Sequence, residues 1–126
     1  MDEREETPEI WELITPDSWV QKRIATTVDG KSVSPYTPDA VKFSLMGGLI
    51  HCYLPRGQIW SPRFEKKRSL LLAALLSHRE LKHITINILR YNTTRKISIQ
   101  RLNDGVDISF IVKLLARMKE MQKGEA

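Results

Sequence analysis

Apolar residues at helical spacing predict a long helix over residues 38–53. Thr37 is a typical N-cap, and Pro38 suits the first helical position, where no N–H is needed. Gly47 and Gly48 lie inside this helix, where each glycine costs about 1 kcal/mol of helix stability relative to alanine. Such a cost is tolerated most easily where a neighbouring backbone must come close. The stripe expected to face inward consists of Val41, Leu45, Leu49 and Cys52.

A second long helix is predicted over residues 62–77. Ser61 is its expected cap, and Pro62 occupies the first helical position. The sequence changes from the charged RFEKKR to the apolar LLLAALL. We therefore expect the charged turn to be solvated and the apolar turns to lie in the core.

Two further helices are predicted near the ends of the chain. A short one follows Thr7-Pro8, with acidic residues in its first turn. Its apolar contacts should be Ile10, Trp11, Leu13 and Ile14. The other runs over about residues 108–122 behind the cap Asp107. Its inward face should comprise Ile108, Ile111, Val112, Leu115 and Met118.

Two segments alternate in the manner of β-hairpins. Residues 19–28 and 31–34 flank Asp29-Gly30, a pair that suits the positive φ angles of a type I′ turn. Residues 83–91 and 95–102 each place isoleucines on one side, and the triplet between them suits a three-residue turn. The predicted fold class is therefore α+β, with three to four helices packed with two β-hairpins in one small domain.

Charge divides the 126 residues unevenly. Residues 1–12 carry a net charge of −5 and the rest of the chain carries +10. We expect residues 1–16 to form an acidic N-terminal arm with a short helix, and residues 17–126 to form a single α+β domain. The arm either is a solubilising tail or covers the basic surface until a partner displaces it.

The expected compartment is cytoplasmic. The longest apolar run, residues 70–76, is too short to span a bilayer, and the acidic start shows no secretory signal. A lone Cys52 cannot make an internal disulfide, which favours a reducing compartment. The oligomeric state is open, with a homodimer as the commonest default.

The sequence offers little catalytic or metal chemistry. His51, Cys52, His78 and His83 match no zinc spacing. Cys52 and His51 are neighbours on a helix and point about 100° apart, so a nucleophile would need a base from elsewhere. We therefore expect no enzyme, no metal and no cofactor, although a reactive Cys52 is the testable alternative.

Basic residues give the main functional indication. Arg56 precedes the helix over residues 62–77, whose start is rich in basic residues, and others decorate the second hairpin. Such a face could hold phosphates and stack a base, or could be an ordinary solvated surface. The predicted basic binding residues are Arg63, Lys66, Lys67, Arg68, Arg90, Arg95, Lys96 and Arg101. The predicted aromatic and amide contacts are Tyr91, Asn92 and Trp60.

Tryptophans are a second indication. Trp11, Trp19 and Trp60 lie in or near loops and a short helix, and tryptophan is enriched where protein interfaces gain most of their affinity. For any single tryptophan, filling the edge of a small core is the favoured interpretation.

Several residues also match a known pattern. They are Trp19, Val20, Gln21, Ala25, Asp29, Gly30, Val33, Pro38, Asp39, Ala40, Val41, Leu45, Met46 and Gly47, with Leu102, Asn103, Asp104, Val112 and Leu115 near the other end. About half of the chain thereby resembles the sixty-one-ninety-seven family of domains of unknown function, short proteins of bacteria and their phages. Ser44 stands where that family often has cysteine. The resemblance implies a small accessory protein and supplies no catalytic residues.

The sequence thus favours a non-enzymatic binding protein, of phage origin if the resemblance holds. It would dock through its basic face on a host or self-assembled protein complex. The alternative is a binder or sequestering protein for nucleic acid or a small anionic nucleotide.

Overall fold

The fold, given by a computed structural model that describes residues 8–77 and 99–125, combines helices with a small antiparallel sheet. The α+β class is therefore confirmed at this level. The helices are α1 (Ile10–Leu13), α2 (Leu45–Tyr53), α3 (Pro62–Ser77), α4 (Ile99–Asp104) and α5 (Ile108–Glu125). The strands are β1 (Ala25–Thr26) and β2 (Lys42–Phe43).

One apolar core joins the helices. α3 packs on α2 and α5, and α1 contacts both α2 and α5. Ile10 and Ile14 are buried in this core, so the acidic segment is fastened to the domain from its short helix onward. The largest side chains that are fully buried in it include Leu45, Leu49, Leu71, Leu75, Ile99, Ile111, Leu114 and Met118.

The first predicted hairpin is confirmed only in part: Thr27 N donates to Lys31 O at 2.9 Å and Val33 N donates to Ala25 O at 3.1 Å, but the type of turn and the main partner of β1 differ from the prediction. Gly30 takes a φ of 88°, while Asp29 does not adopt positive φ, so the turn is not type I′. β1 pairs with β2, with Ala25 opposite Phe43, and the expected return strand contributes an isolated bridge from Thr26 to Ser32.

The helix predicted from residue 38 begins at residue 45. Thr37 starts a single turn, in which its carbonyl accepts from Ala40 N at 3.1 Å. β2 follows because its backbone pairs with β1, and Ser44 then caps α2 by accepting from Gly47 N at 3.1 Å. Val41 is consequently 45% exposed, whereas the rest of the predicted stripe is buried.

Two helix starts are confirmed, because their signals act within one turn. Ser61 Oγ accepts from Phe64 N at 3.1 Å at the start of α3. Asp107 Oδ1 accepts from Phe110 N at 3.0 Å at the start of α5, which lowers the pKa of that carboxyl. Val112, expected to face inward, is 45% exposed. Phe110 and Leu114 are buried there with Ile111, Leu115 and Met118.

Part of the second predicted hairpin is wrong. Residues 83–98 lie outside the described residues, but residues 99–102, predicted as a strand, begin helix α4. Ile99 and Leu102 are both buried and three residues apart, which is helical spacing. Asn103, four residues after Ile99, is also fully buried, among polar partners. The buried positions of this segment therefore recur at helical spacing and not at the alternating spacing of a strand.

A hydrogen-bonded network around Asn103 joins three distant parts of the fold. Its Oδ1 accepts from Trp19 Nε1 at 2.6 Å and from Leu45 N at 3.0 Å, and its Nδ2 donates to Val20 O at 2.9 Å. Leu45 N is one of the amides that α2 leaves unpaired at its start. Asn103 therefore caps α2 from α4 while it holds the segment that leads into β1.

Candidate interaction surface

The loop between α2 and α3 exposes two large apolar side chains. Ile59 is 97% exposed and Trp60 is 55% exposed. The loop is fastened at both ends: Tyr36 OH donates to Leu54 O at 2.9 Å, and Ser61 Oγ donates to Tyr53 O at 3.1 Å. Ile59 and Trp60 are thus presented from a loop with fixed ends.

Basic residues lie on both sides of Ile59 and Trp60 in the sequence. Residues 54–70 contain five Lys and Arg residues against one carboxylate. Arg56 and Lys66 are exposed, and no described carboxylate lies within ion-pair distance of either. Arg63 is half-buried, on the turn of α3 next to Lys66. We call the set Arg56, Ile59, Trp60, Arg63 and Lys66 the Trp60 surface.

A partly buried charge cluster includes Arg63 of this surface. The Glu9 carboxylate accepts from Tyr53 OH at 2.6 Å and from Lys67 Nζ at 3.3 Å, and Arg63 Nη2 lies 3.8 Å away. The Lys67 ammonium also lies over the Trp11 ring, at 5.4 Å from its centroid. Burial, and then the hydrogen bond to Glu9, raises the pKa of Tyr53 well above its usual value.

The charged residues at the start of α3 were expected to be exposed to solvent. This prediction is wrong for Lys67 and confirmed for Lys66. Lys67 is only 9% exposed because its stem crosses the core edge and its ammonium is held by Glu9. Arg68 forms an ion pair with Glu65 at 3.6 Å on the same helix. The sequence did not indicate Glu9 as a partner, since it precedes Lys67 by 58 residues.

Other predicted site residues are placed as follows. Arg90, Tyr91, Asn92, Arg95 and Lys96 lie outside the described residues, and Arg101 belongs to α4. Trp11 and Trp19 are half-buried against the core, which confirms the structural interpretation for these two. Ile59 was not among the predicted site residues. Its signal in the sequence is an apolar residue just before the Ser61-Pro62 helix start and outside any periodic stretch.

Cys52 and His51 do not form a catalytic pair. His51 Nδ1 lies 2.7 Å from Pro35 O, and its ring packs on Phe43. Cys52 is buried in the core on another face of α2. Burial, reinforced by the Glu9 carboxylate, raises the pKa of Cys52 to about 12, so the thiol is protonated at neutral pH.

We therefore expect Cys52 to alkylate slowly in the native protein. At about pH 8 its thiolate fraction is roughly a thousandfold or more below that of a free cysteine, whose pKa is about 8.5. The measurement is the iodoacetamide reaction rate of the native protein, with the guanidinium-denatured protein as the control. A native rate close to the denatured one would contradict the buried, protonated thiol and reopen the nucleophile hypothesis.

Neither a metal-ligand group nor a membrane-spanning helix is found among the described residues. Within residues 8–77 and 99–125, no group of three or more His, Cys, Asp or Glu side chains is arranged to hold a metal ion. His78 and His83 lie outside these ranges. None of the described helices has the length and apolar content needed to cross a membrane.

Comparisons with known proteins returned nothing. No model of a protein family matches the chain, and no curated protein or solved structure matches it. The resemblance to the sixty-one-ninety-seven family stays a prediction. Trp19 and Asn103, two of the residues that carry it, form a hydrogen bond with each other at the edge of the core, so here they serve the fold.

Proposed function

We propose that the protein is a non-enzymatic binding protein that docks on a partner protein through the Trp60 surface. The observation that carries the proposal is the exposure of Ile59 and Trp60 side by side on a loop with fixed ends. Burying an exposed aliphatic side chain contributes about 1.5–3 kcal/mol, and tryptophan is among the commonest interface hot spots. This loop is therefore the described region best suited to gain affinity from docking.

The charges around the loop define the chemistry of the partner. Arg56 and Lys66 are exposed, and Arg63 shares Glu9, the one described carboxylate within ion-pair distance of it, with Lys67. A complementary partner would present an apolar pocket rimmed by carboxylates, because like charges opposed across an interface are unfavourable. That this partner belongs to a host or self-assembled complex stays a prediction from the sequence.

Replacing Ile59 with serine and Trp60 with alanine together should weaken partner binding at least thirtyfold, the equivalent of about 2 kcal/mol. The matched control is Val28→Ser. Val28 is also apolar and is 74% exposed, but it lies in the turn that follows β1. The measurement is quantitative mass spectrometry of proteins captured from nuclease-treated lysate, followed by titration of the purified partner. Equal binding by both variants would contradict the proposal.

Binding of nucleic acid or an anionic nucleotide is the second candidate, supported by an exposed Trp60 and by an exposed Lys66 on the helix that follows it. Aromatic stacking with flanking cations is the usual way to hold single strands. In that case the captured material disappears with nuclease. The affinity for a single-stranded oligonucleotide would also fall steeply with salt. Lys and Arg side chains that neutralise phosphates release the counterions condensed on the nucleic acid, and added salt opposes that release.

A further inference from the structure

We propose that Arg63 determines the specificity of the Trp60 surface by pairing with one carboxylate of the partner protein through two parallel hydrogen bonds. This proposal rests on the proposed function, because it names the cation of that surface that selects the partner. The partner group is the side-chain carboxylate of an Asp or Glu. Two observations carry the proposal: the Arg63 guanidinium lies over the Tyr53 ring, and the one described carboxylate near it is 3.8 Å away.

The Tyr53 ring supports the Arg63 guanidinium. The guanidinium carbon Cζ lies 5.0 Å from the ring centroid, within the range of a cation–π contact. Tyr53 is itself buried, and its hydroxyl donates to Glu9 at 2.6 Å and accepts from Ile10 N at 3.0 Å. The ring is therefore a fixed support, and a guanidinium that rests on it loses less conformational entropy for each hydrogen bond that it forms.

The N–H groups of Arg63 are left for an acceptor outside the described fold. Arg63 Nη2 lies 3.8 Å from the Glu9 carboxylate, which is beyond hydrogen-bond distance. The same carboxylate accepts from Tyr53 OH and from Lys67 Nζ, and Arg63 forms no hydrogen bond with any of the described residues. The Arg63 side chain is 33% exposed, so it is partly withdrawn from water and still open to a partner. A partner carboxylate would gain more from such a cation than from a fully solvated one.

Arg63 differs in this respect from the other two cations of the Trp60 surface. Arg56 and Lys66 are exposed, and exposed charges act mainly on the rate of association and are screened by salt. A guanidinium also presents two N–H groups in the geometry of a carboxylate, which the single ammonium of lysine does not match. Arg63→Lys therefore keeps the charge of the surface and removes the two-bond geometry.

The first test selects random peptides displayed on phage against the purified protein. We expect the enriched peptides to share an Asp or Glu close to apolar residues, and the most enriched one, synthesised with capped ends, should bind Arg63→Lys about tenfold or more weakly. Arg68→Lys is the matched control, because the Arg68 side chain is 32% exposed on the same helix and is paired with Glu65. Its affinity should stay within about twofold. Failure to enrich peptides with a carboxylate, or equal binding by the two variants, would overturn the proposal.

The second test is a double-mutant cycle between Arg63 and the shared acidic residue of that peptide. Replacing this residue by its amide should cost about as much affinity as Arg63→Lys, and both changes together should cost little more than either one. The amide change lies in the peptide, so it leaves the fold of the protein undisturbed. Additive losses would overturn the pairing.

The same peptide separates this proposal from the proposed function. It is also titrated against the protein with Ile59→Ser and Trp60→Ala. A loss of affinity in Arg63→Lys alone would support the Arg63 pairing and contradict docking through the loop. A loss in the loop variant alone would overturn the Arg63 pairing and leave the proposed docking function standing.

Discussion

Replacing Gly47 with alanine is expected to destabilise the protein by about 3 kcal/mol or more. A Cβ at this position would lie 1.9 Å from the carbonyl oxygen of Ile24, which is backbone and cannot rotate away. The same oxygen accepts from Ser44 N at 3.1 Å, so a shift would also strain the cap of α2. Helix propensity alone favours alanine by about 1 kcal/mol, so close packing is expected to reverse the sign.

Urea unfolding followed by circular dichroism measures this effect. Gly124→Ala is the matched control, because Gly124 also lies in a helix and a Cβ there would meet nothing within 4 Å. We expect that control to be neutral or to stabilise by up to about 1 kcal/mol. Equal stability of Gly47→Ala and the unmodified protein would contradict the close approach of α2 to Ile24, the residue before β1.

Replacing Asn103 with alanine should cost about 3–5 kcal/mol. Asn103 is fully buried, and the change leaves Trp19 Nε1 and Leu45 N without their acceptor and Val20 O without a donor. Each buried polar group that loses its partner costs about 1–3 kcal/mol. The loss should therefore exceed that of an ordinary surface hydrogen bond.

Gln21→Ala is the comparison within the same region. Gln21 Nε2 donates to Val106 O at 2.6 Å, but Gln21 is exposed, so water can replace it. Its expected cost is about 1 kcal/mol. Chemical unfolding measures the free energy of unfolding of both variants. Similar decreases for Asn103→Ala and Gln21→Ala would show that the Asn103 network does not hold α2, α4 and the segment before β1 together.

The candidate surface was predictable only in part. Trp60 and the basic start of α3 were named from the sequence, and Lys66 is exposed as expected. Lys67 was misassigned, because nothing in its local sequence shows that Glu9 and Tyr53 come within reach. The same reason explains why Glu9 was seen only as one of several acidic residues in the arm.

What the sequence determined by itself is the set of features whose causes lie within one turn of chain. Ser61 with Pro62 and Asp107 start their helices at the predicted residues, because a cap accepts from an amide three residues on. Gly30 likewise makes its turn, because positive φ is a property of the residue itself.

The tertiary structure decided the rest. It moved the start of α2 from Thr37 to Ser44, made residues 99–102 helical and buried Lys67. The deciding contacts join residues far apart in sequence, such as Trp19 and Asn103, which are 84 residues apart. The free energy of such contacts arises only when the folded chain brings both partners together, so no local pattern records it.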